Sequence, residues 1–563
     1  MAVRAGVDTF LLRLLKKSGA CRLQQQCQTS WSTRSLATQP TQPHSGGNRK
    51  GAASLAAEVQ ASPEPSDSGA KQMPPLSEPL PGLPNVTYSS AQQESHETKV
   101  TTLSNGLRVA SENRFGQFCT VGVVIDSGSR YEVAYPSGIS HFLEKLAFNS
   151  TSNYKDKDKI LQILERHGGI CDSQSSRDTF IYAASADRRG VDAVMKVLGD
   201  VVLRPQISEA ELEMARMTIR FELETMLMRP EQEPILMDMI HAAAYQENTL
   251  GLPKICPEDT IEKVDRSTLF TYLSQHYLPQ RMVVAGVGVE HDTLVEHVQR
   301  YFIDNKPIWE EDNSLLMPVK NLEVDNSLAQ YTGGLVKEHC EIPVHPGSDL
   351  PELAHVVIGL EAVGHQHKDF IPACVLNMVM GGGGSFSAGG PGKGMYTRLY
   401  TNVLNRHHWM FNATAYNHAY MDTGLFCIHA SSPPSHVRDL TEVMVKEMVA
   451  MAGNIDDVEL KRAKKQLQSM LLMNLEARPV VFEDIGRQVL ATGHRKRPEY
   501  YIEEIEKIQA EDVCRVASQL LRSNPAVAAR GDLSKLPPLE DIQAGLSDAS
   551  GKMPGGRRLS LFR

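Results

Sequence analysis

The chain has 563 residues, long enough for more than one domain of ordinary size, and its formal net charge is −9 at pH 7. It contains no apolar run near the ~20 residues of a membrane-spanning helix, and its acidic balance disfavours nucleic-acid binding. The nine cysteines are scattered without a C-x-x-C pair, a pattern that favours reduced thiols over a disulfide framework or a structural zinc site.

The first residues differ from the rest in composition. Residues 1–57 contain eight Lys and Arg and one acid, Asp8, and the apolar residues between Phe10 and Leu15 can form one face of a short helix. An Arg-rich, Ser-rich and acid-poor start is typical of a mitochondrial transit peptide. We therefore predict a transit peptide over residues 1–44, removed close to Arg34, and a location in the mitochondrial matrix.

Charge and composition change after this segment. Residues 45–95 are rich in Ser, Pro, Gly and Glu and lack hydrophobic periodicity, which predicts a disordered spacer. The +7 contributed by residues 1–57 leaves −16 for the remainder of the chain. An acidic remainder suits basic peptide partners, although ordinary solubility accounts for the same charge.

An internal repeat follows the spacer. The segment 211–216 (ELEMAR) returns as 459–464 (ELKRAK), 248 positions later. Three further pairs recur in the same order at nearly the same offset: Asp178-Thr179 and Asp422-Thr423, Arg229-Pro230 and Arg478-Pro479, Ile261–Val264 and Ile505–Ile508. Matches of this kind indicate two homologous units in tandem.

The repeat predicts the domain organisation. We assign one domain to residues 96–303, a connector to 304–350, a second domain to 351–545 and a C-terminal tail to 546–563. Strand patterns are predicted at 107–110, 119–125, 180–184, 281–288, 355–360, 425–430 and 526–529. Helical patterns are predicted at 210–228, 234–245, 457–474 and 482–490. The order predicts an α+β fold in which each domain is a mostly antiparallel sheet covered on one face by helices.

One chemical motif lies in the first domain, and it is incomplete. Residues 141–145 read His-Phe-Leu-Glu-Lys, whereas the inverted zinc-peptidase motif is H-x-x-E-H, with two histidines one helical turn apart and a glutamate that activates water. A protonated lysine offers no lone pair and repels a metal ion. We therefore predict no bound metal and no catalytic residue in this chain, and a structural surface network of His141, Glu144 and Lys145.

A glycine-rich segment lies in the second domain. Eight of the fourteen residues from Gly381 to Gly394 are glycine, and the segment matches neither the Walker A nor the dinucleotide-binding pattern. Because ordering glycine costs extra backbone entropy, we expect no fixed helix or strand here. The segment is interpreted as a flexible loop that contacts or closes over a polymer, with an idle surface loop as the alternative.

These features together resemble the pitrilysin/insulinase family of inverted-motif zinc peptidases. The resemblance covers about residues 95–540 and is carried by the tandem domains, residues 141–147, the glycine segment with its continuation to Tyr400, and residues 473–479. In heterodimeric members of that family, a β-subunit carries the zinc site, an α-subunit binds basic presequences, and the two subunits enclose a cavity. The resemblance implies a non-catalytic α-type subunit without a cofactor of its own and with zinc in the β partner.

The resemblance also implies site residues. The family spacing places the third zinc ligand at Phe221, with Glu222 and Glu224 beside it, so the resemblance predicts a doubly impaired metal site. Substrate binding is implied for the glycine segment and for acidic residues near it and near residue 473: Gly381, Gly382, Gly383, Gly384, Ser385, Phe386, Ser387, Ala388, Gly389, Gly390, Pro391, Gly392, Lys393, Gly394, Glu361, Asp369, Glu476, Glu483 and Asp484. For each acid, an ordinary solvated charge is the alternative.

A second function remains open at this point. The related core proteins of the respiratory cytochrome bc complex share the family's fold and lack a complete zinc site, so a structural subunit of that complex is the alternative. The glycine segment favours presequence binding over a scaffold role. Peripheral association with the inner membrane is compatible with both.

Overall fold

The computed structural model describes residues 96–318, 324–344, 347, 351–384 and 395–555. The predicted transit peptide, the spacer, residues 385–394 of the glycine segment and the end of the predicted tail lie outside the described residues. Two six-stranded sheets form the framework of the described part. The predicted α+β class, a tandem of sheets covered by helices, is confirmed.

The first sheet has the strand order β1-β2-β6-β3-β5-β4. Its strands are β1 Thr98–Thr102, β2 Arg108–Glu112, β3 Phe118–Ile125, β4 Ile170–Ser175, β5 Phe180–Asp187 and β6 Met282–Val287. Only the β2–β6 pair is parallel among these strands. β-branched and small apolar residues fill the central strands, and β3 is buried along nearly its whole length because both faces of the sheet are covered.

The second sheet repeats this arrangement in the order β7-β12-β8-β11-β10-β9. Its strands are β7 Gly334–His339, β8 Ala354–Ala362, β9 Gly382–Gly384, β10 Asn412–Ala419, β11 Gly424–Ser432 and β12 Ala526–Gly531. The β7–β12 pair is parallel, like the β2–β6 pair of the first sheet. The same single parallel pair in both sheets supports the repeat read from the sequence.

Helices fill the segments between the strands. In the first half they are α1 Ile139–Leu146, α2 Lys157–Arg166, α3 Val191–Leu203, α4 Glu209–Leu227, α5 Glu233–Ala244, α6 Arg266–His276, α7 His291–Val298 and α8 Ile308–Glu311. In the second half they are α9 Phe370–Met380, α10 Val437–Ala450, α11 Asp457–Asn474, α12 Arg478–Thr492, α13 Pro498–Lys507, α14 Ala510–Leu520 and α15 Leu539–Ser547. Long helices start at sequence signals, as α4 does at a capping box between Ser208 and Glu211.

Each half contributes one helix that packs on the sheet of the other half. Helix α12 of the second half packs on the first sheet, where Phe482, Ile485 and Val489 contact a cluster that includes Val124 and Val283. Helix α5 of the first half packs in the same way on the second sheet. Each sheet is therefore covered on both faces, one of them by the other half, which corrects the predicted one-sided cover.

The repeated Asp-Thr pairs support this packing. Asp422 accepts two hydrogen bonds from Arg130, at 3.0 and 2.7 Å, and both side chains are buried. In the other half, Thr179 accepts a hydrogen bond from Arg487 of α12, and Asp178 lies 3.9 Å from the same guanidinium. Each pair thus binds an arginine of the opposite half, which gives the sequence repeat a structural reason.

Two segments differ from expectation. The predicted connector 304–350 contains β7, which pairs with β12 and belongs to the second sheet. The first glycines of the glycine segment form β9 and pair with β10, where a Cβ on Gly382 would lie 1.9 Å from the carbonyl oxygen of Ala413. Glycine is what permits this close strand approach, so the expectation of no fixed strand is wrong for residues 382–384. Among the described residues, no helix is long and apolar enough to cross a membrane.

Candidate functional site

The incomplete motif lies on α1, whose start is fixed by a buried carboxylate. Glu132 accepts hydrogen bonds from the backbone amides of Gly138, at 2.6 Å, and Ser140, at 2.7 Å. Gly138 itself has φ 109°, and a Cβ there would lie 2.4 Å from the sulfur of Cys256. Burial raises the pKa of the Glu132 carboxyl to about 7, although the hydrogen bonds from the helix start oppose the shift. The helix N-terminus is thus held by a carboxyl that titrates near neutral pH.

Lys145 occupies the centre of the site. Its Nζ donates to Glu222 Oε1 of α4 at 2.7 Å and lies 3.7 Å from Glu144 Oε1. Burial by itself would raise the pKa of the Glu222 carboxyl, but the hydrogen bonds and charge from His141 and Lys145 outweigh it and lower this pKa. The ammonium group therefore lies between two carboxylates, the environment that a bound cation would otherwise have.

His141 is committed to hydrogen bonds on both ring nitrogens. Its Nδ1 accepts the backbone N–H of Cys256 at 3.3 Å, and its Nε2 lies 3.1 Å from Glu222 Oε2. A backbone N–H can only donate, so the ring carries its hydrogen on Nε2 and donates it to the carboxylate. No ring lone pair is left to ligate a metal ion.

These residues do not fit a zinc ion. Catalytic zinc sites use three protein ligands with free lone pairs. Here Lys145 places an ammonium group at one ligand position. In His141, one ring nitrogen carries the hydrogen and the other accepts a backbone N–H, so neither is free to bind zinc. Within the part of the chain that the structure describes, no three His, Cys, Asp or Glu side chains are grouped to hold a metal ion. We derive no chemical step through zinc for this chain.

Two expectations about the motif are corrected. The network of His141, Glu144 and Lys145 is largely buried and not on the surface, because α4 covers it. The acidic position is also intact in space, since Glu222 reaches both His141 and Lys145. The predicted impairment at the third ligand position is therefore wrong, and the impairments lie at Lys145 and at the engaged ring of His141. Neighbouring residues of a helix point about 100° apart, so Glu222 faces the motif while Phe221, the position reached by counting, points to solvent.

Glu144, the position that activates water in the complete motif, is held by β4. Its Oε2 accepts hydrogen bonds from the backbone N–H of Ser175 at 3.2 Å and from the hydroxyl of the same residue at 2.8 Å. Ser173 donates to the Glu144 carbonyl oxygen at 3.3 Å. A carboxylate with these partners secures α1 to the edge of the first sheet, and neither serine carried a recognisable signal in the sequence.

The glycine segment starts at the edge of the second sheet. Gly381 closes α9 with φ 57°, and Gly383 packs so closely that a Cβ would lie 2.5 Å from the Tyr400 hydroxyl. Residues 385–394, including Phe386 and Lys393, lie outside the described residues. The described residues thus end at Gly384, on the edge strand β9 of the second sheet, and resume at Met395.

The structure separates the five acidic candidates into two groups. Asp369 is paired with Arg515 at 2.8 and 3.0 Å, and this guanidinium holds the pKa of the Asp369 carboxyl below its ordinary value. Glu483 is buried and pairs with Arg487 at 2.8 Å, and Asp484 pairs with Arg495 at 2.8 Å. The exposed members are Glu361, at the end of β8, and Glu476, in the turn between α11 and α12. The three paired acids are thus each bound to a different arginine, and the other two are open to solvent.

Comparison with known proteins identifies the protein family to which the chain belongs. The sequence model of the insulinase family (peptidase family M16) matches residues 108–258, and that of the peptidase M16 inactive domain matches residues 263–467. The chain belongs to the insulinase family, peptidase family M16, and the resemblance read from its sequence is confirmed.

Relatives of higher sequence identity share a single name. The chain is 57% identical over 502 residues to a Bos taurus protein named mitochondrial-processing peptidase subunit alpha, covering 88% of this chain and 94% of that protein. It is 45% identical to the protein of the same name from Caenorhabditis elegans, covering 84% of this chain and 92% of that one. Among solved structures, complex III2 from Candida albicans with Inz-5 bound matches with a TM-score of 0.63 and 19% identity over 80% of this chain and 99% of that one. That last likeness shows the fold alone.

Proposed function

We propose that this chain is the non-catalytic, substrate-recognition α-subunit of a heterodimeric mitochondrial processing peptidase. It binds basic, amphipathic presequences of imported precursors so that a zinc-bearing β-subunit can cleave them. It acts in the mitochondrial matrix, with peripheral contact to the inner membrane. The observation that supports this most is the pair of hydrogen bonds from Lys145 and His141 to Glu222, which takes the place of a metal ion in a chain whose relatives are peptidase subunits.

Recognition is assigned to the glycine segment and the exposed acids. Residues 381–384 anchor the segment on β10, and bare backbone beyond them fits many side-chain patterns. Glu361 and Glu476 are exposed and can contact basic side chains directly. The charges of the three acids paired with arginines are largely offset by their partners, so these acids contribute less attraction than Glu361 and Glu476.

Presequence cleavage tests whether this chain needs a β-type subunit for catalysis. The chain is incubated with a precursor and zinc, first alone and then with a β-type subunit that carries an intact H-x-x-E-H motif. We expect no cleavage alone and cleavage by the pair. Cleavage by the chain alone would overturn the non-catalytic assignment, and no cleavage by the pair would favour a structural role in a respiratory complex.

A loop deletion tests the recognition element. Removing residues 385–394 keeps Gly382–Gly384, the residues of β9 that pair with β10. We expect presequence affinity to be lost while the heterodimer and its thermal unfolding midpoint persist. A shortened chain that binds presequence as tightly as the intact one would contradict the assignment of the loop.

A further inference from the structure

Helix α4 has two apolar faces, and only one of them contacts the core. Leu212, Ala215 and Ile219 are buried in the first domain. The opposite side exposes large apolar side chains, which we call the exposed seam: Met214 (60% exposed), Met217 (49%), Phe221 (69%) and Met228 (62%). Exposed apolar residues aligned along one helix mark an interaction surface more often than scattered single ones do.

The spacing of the seam is that of a helix-pairing surface. Residues 214, 217, 221 and 228 follow a heptad pattern, with Glu224 at the remaining position of the pattern. The seam is about 21 Å long at 1.5 Å rise per residue. It therefore offers a ridge that matches a partner helix of about four turns.

The repeat supplies an internal comparison. Helix α11 is the counterpart of α4 in the second half, and the residues 248 positions after Met214, Met217 and Phe221 are Arg462, Lys465 and Ser469. These three residues are exposed and polar or charged. The fold therefore does not require apolar residues on this side of the helix, so their presence on α4 calls for a binding role.

Charge indicates what kind of partner fits. Helix α4 carries five glutamates and two arginines, and Glu213 and Glu224 are exposed along the seam. Both arginines are already paired, Arg216 with Glu213 at 3.1 Å and Arg220 with Glu262. Because Arg216 offsets the charge of Glu213, the acid left along the seam for a basic side chain is the exposed Glu224. An incoming helix thus meets apolar side chains with a carboxylate among them, which favours a basic amphipathic helix.

We propose that the exposed seam of α4 binds basic amphipathic helices of precursor presequences by helix-on-helix packing, a proposal that rests on the proposed function. Methionine is unbranched and polarisable, so three methionines let the seam adapt to presequences of different sequence. The chain's own residues 1–17 have the required character, with apolar residues from Phe10 to Leu15 beside Arg13, Lys16 and Lys17. The seam supplies affinity for the helical part of a presequence, separately from the glycine segment.

The test is fluorescence polarisation with a labelled peptide of residues 1–17 and the full chain in its heterodimer. The variant Met214→Gln/Met217→Gln/Phe221→Gln removes the apolar contacts and keeps every charge. The control Val458→Gln removes an exposed apolar residue of α11. We expect the seam variant to bind at least about tenfold more weakly and the control to bind like the parent. A peptide with serines at its four leucines should also fail to bind.

The remaining outcomes separate this proposal from the proposed function. Unchanged binding by the seam variant overturns the role of the seam, and if the loop deletion still abolishes binding, the proposed function stands without it. No binding by the parent heterodimer overturns the proposed function itself. A seam variant that no longer joins the β-type subunit but binds peptide normally shows a subunit interface and overturns the proposal.

Discussion

Lys145 Nζ lies 2.7 Å from Glu222 Oε1, and this contact ties α1 to α4 at the place where the complete motif of the family would hold zinc. The lysine is a fixed internal cation that satisfies Glu144 and Glu222 together. In this chain a side chain supplies the positive charge between the two acidic residues.

Replacing this internal cation should destabilise the first domain. Lys145→Met leaves two carboxylates without their positive partner, and we expect a loss of about 1–2 kcal/mol in the free energy of unfolding, reduced from the value for a fully buried pair because Glu222 is 38% exposed. Urea denaturation measures it. The control Lys157→Met, at an exposed position of α2, should change stability by less than about 0.5 kcal/mol. Equal effects of the two variants would contradict the role assigned to Lys145.

Completing the motif should not create a tight zinc site. In Lys145→His, zinc would need the Nε2 lone pair of His141, which forces the ring hydrogen onto Nδ1 against the backbone N–H of Cys256, 3.3 Å away. We expect zinc affinity weaker than about 1 µM, measured by equilibrium dialysis with metal analysis. Tighter binding at one zinc per chain would show that the ring reorients freely and that Lys145 alone excludes the metal.

Glu132 should make stability depend on pH. Its pKa rises from an ordinary 4.5 to about 7 in the folded chain, so between these values the unfolded state binds fewer protons than the native state. Stability therefore falls as pH rises from about 4.5 to about 7, by roughly 3 kcal/mol from this group. Urea unfolding at several pH values measures the slope.

The variant Glu132→Gln isolates this contribution. An amide does not ionise, so the variant should lose stability less steeply over the same pH range than the parent. It should also be less stable near pH 5, because its single oxygen cannot accept from both Gly138 and Ser140. Parallel pH profiles for parent and variant would show that Glu132 does not titrate in this range.

The packing of α12 on the first sheet should depend on a glycine of that helix. A Cβ at Gly486 would lie 2.4 Å from Val124 Cγ2 of β3, and Val124 is fully buried. We expect Gly486→Ala to cost about 1–3 kcal/mol of stability. Because Val124→Ala removes the clashing atom, the double variant should be more stable than the sum of the single effects predicts. Additive effects in this cycle would contradict the contact.

The sequence predicts the local parts of the site better than its long-range partners. The helix with His141 and Lys145 follows from the motif, and its impairment follows from the chemistry of lysine. The partners of Asp369, Glu483 and Asp484 could not be predicted, because an exposed acid and a paired acid have the same local pattern. Arg515, the partner of Asp369, is separated from it by 146 residues. Nothing near Asp369 in the sequence points to that arginine.

The fold shows the same limit. The periodicity of residues 482–490 predicts a buried helix, and the structure contains one, but periodicity does not say which sheet a helix buries. The cover of the first sheet by α12 depends on Gly486 meeting β3 and on Arg487 reaching Thr179, contacts between distant parts of the chain. The strand at Gly382–Gly384 was missed for the opposite reason, because close backbone approach outweighs the low strand propensity of glycine.

The packing of α12 on the first sheet and of α5 on the second has a consequence for how the chain folds. The first sheet is complete in sequence at Val287, but the helix that covers its second face ends at Thr492. Without α12, Val124, Ile181 and Val283 lack its apolar cover, so the N-terminal half alone exposes an apolar sheet face and depends on the second half to complete its folding.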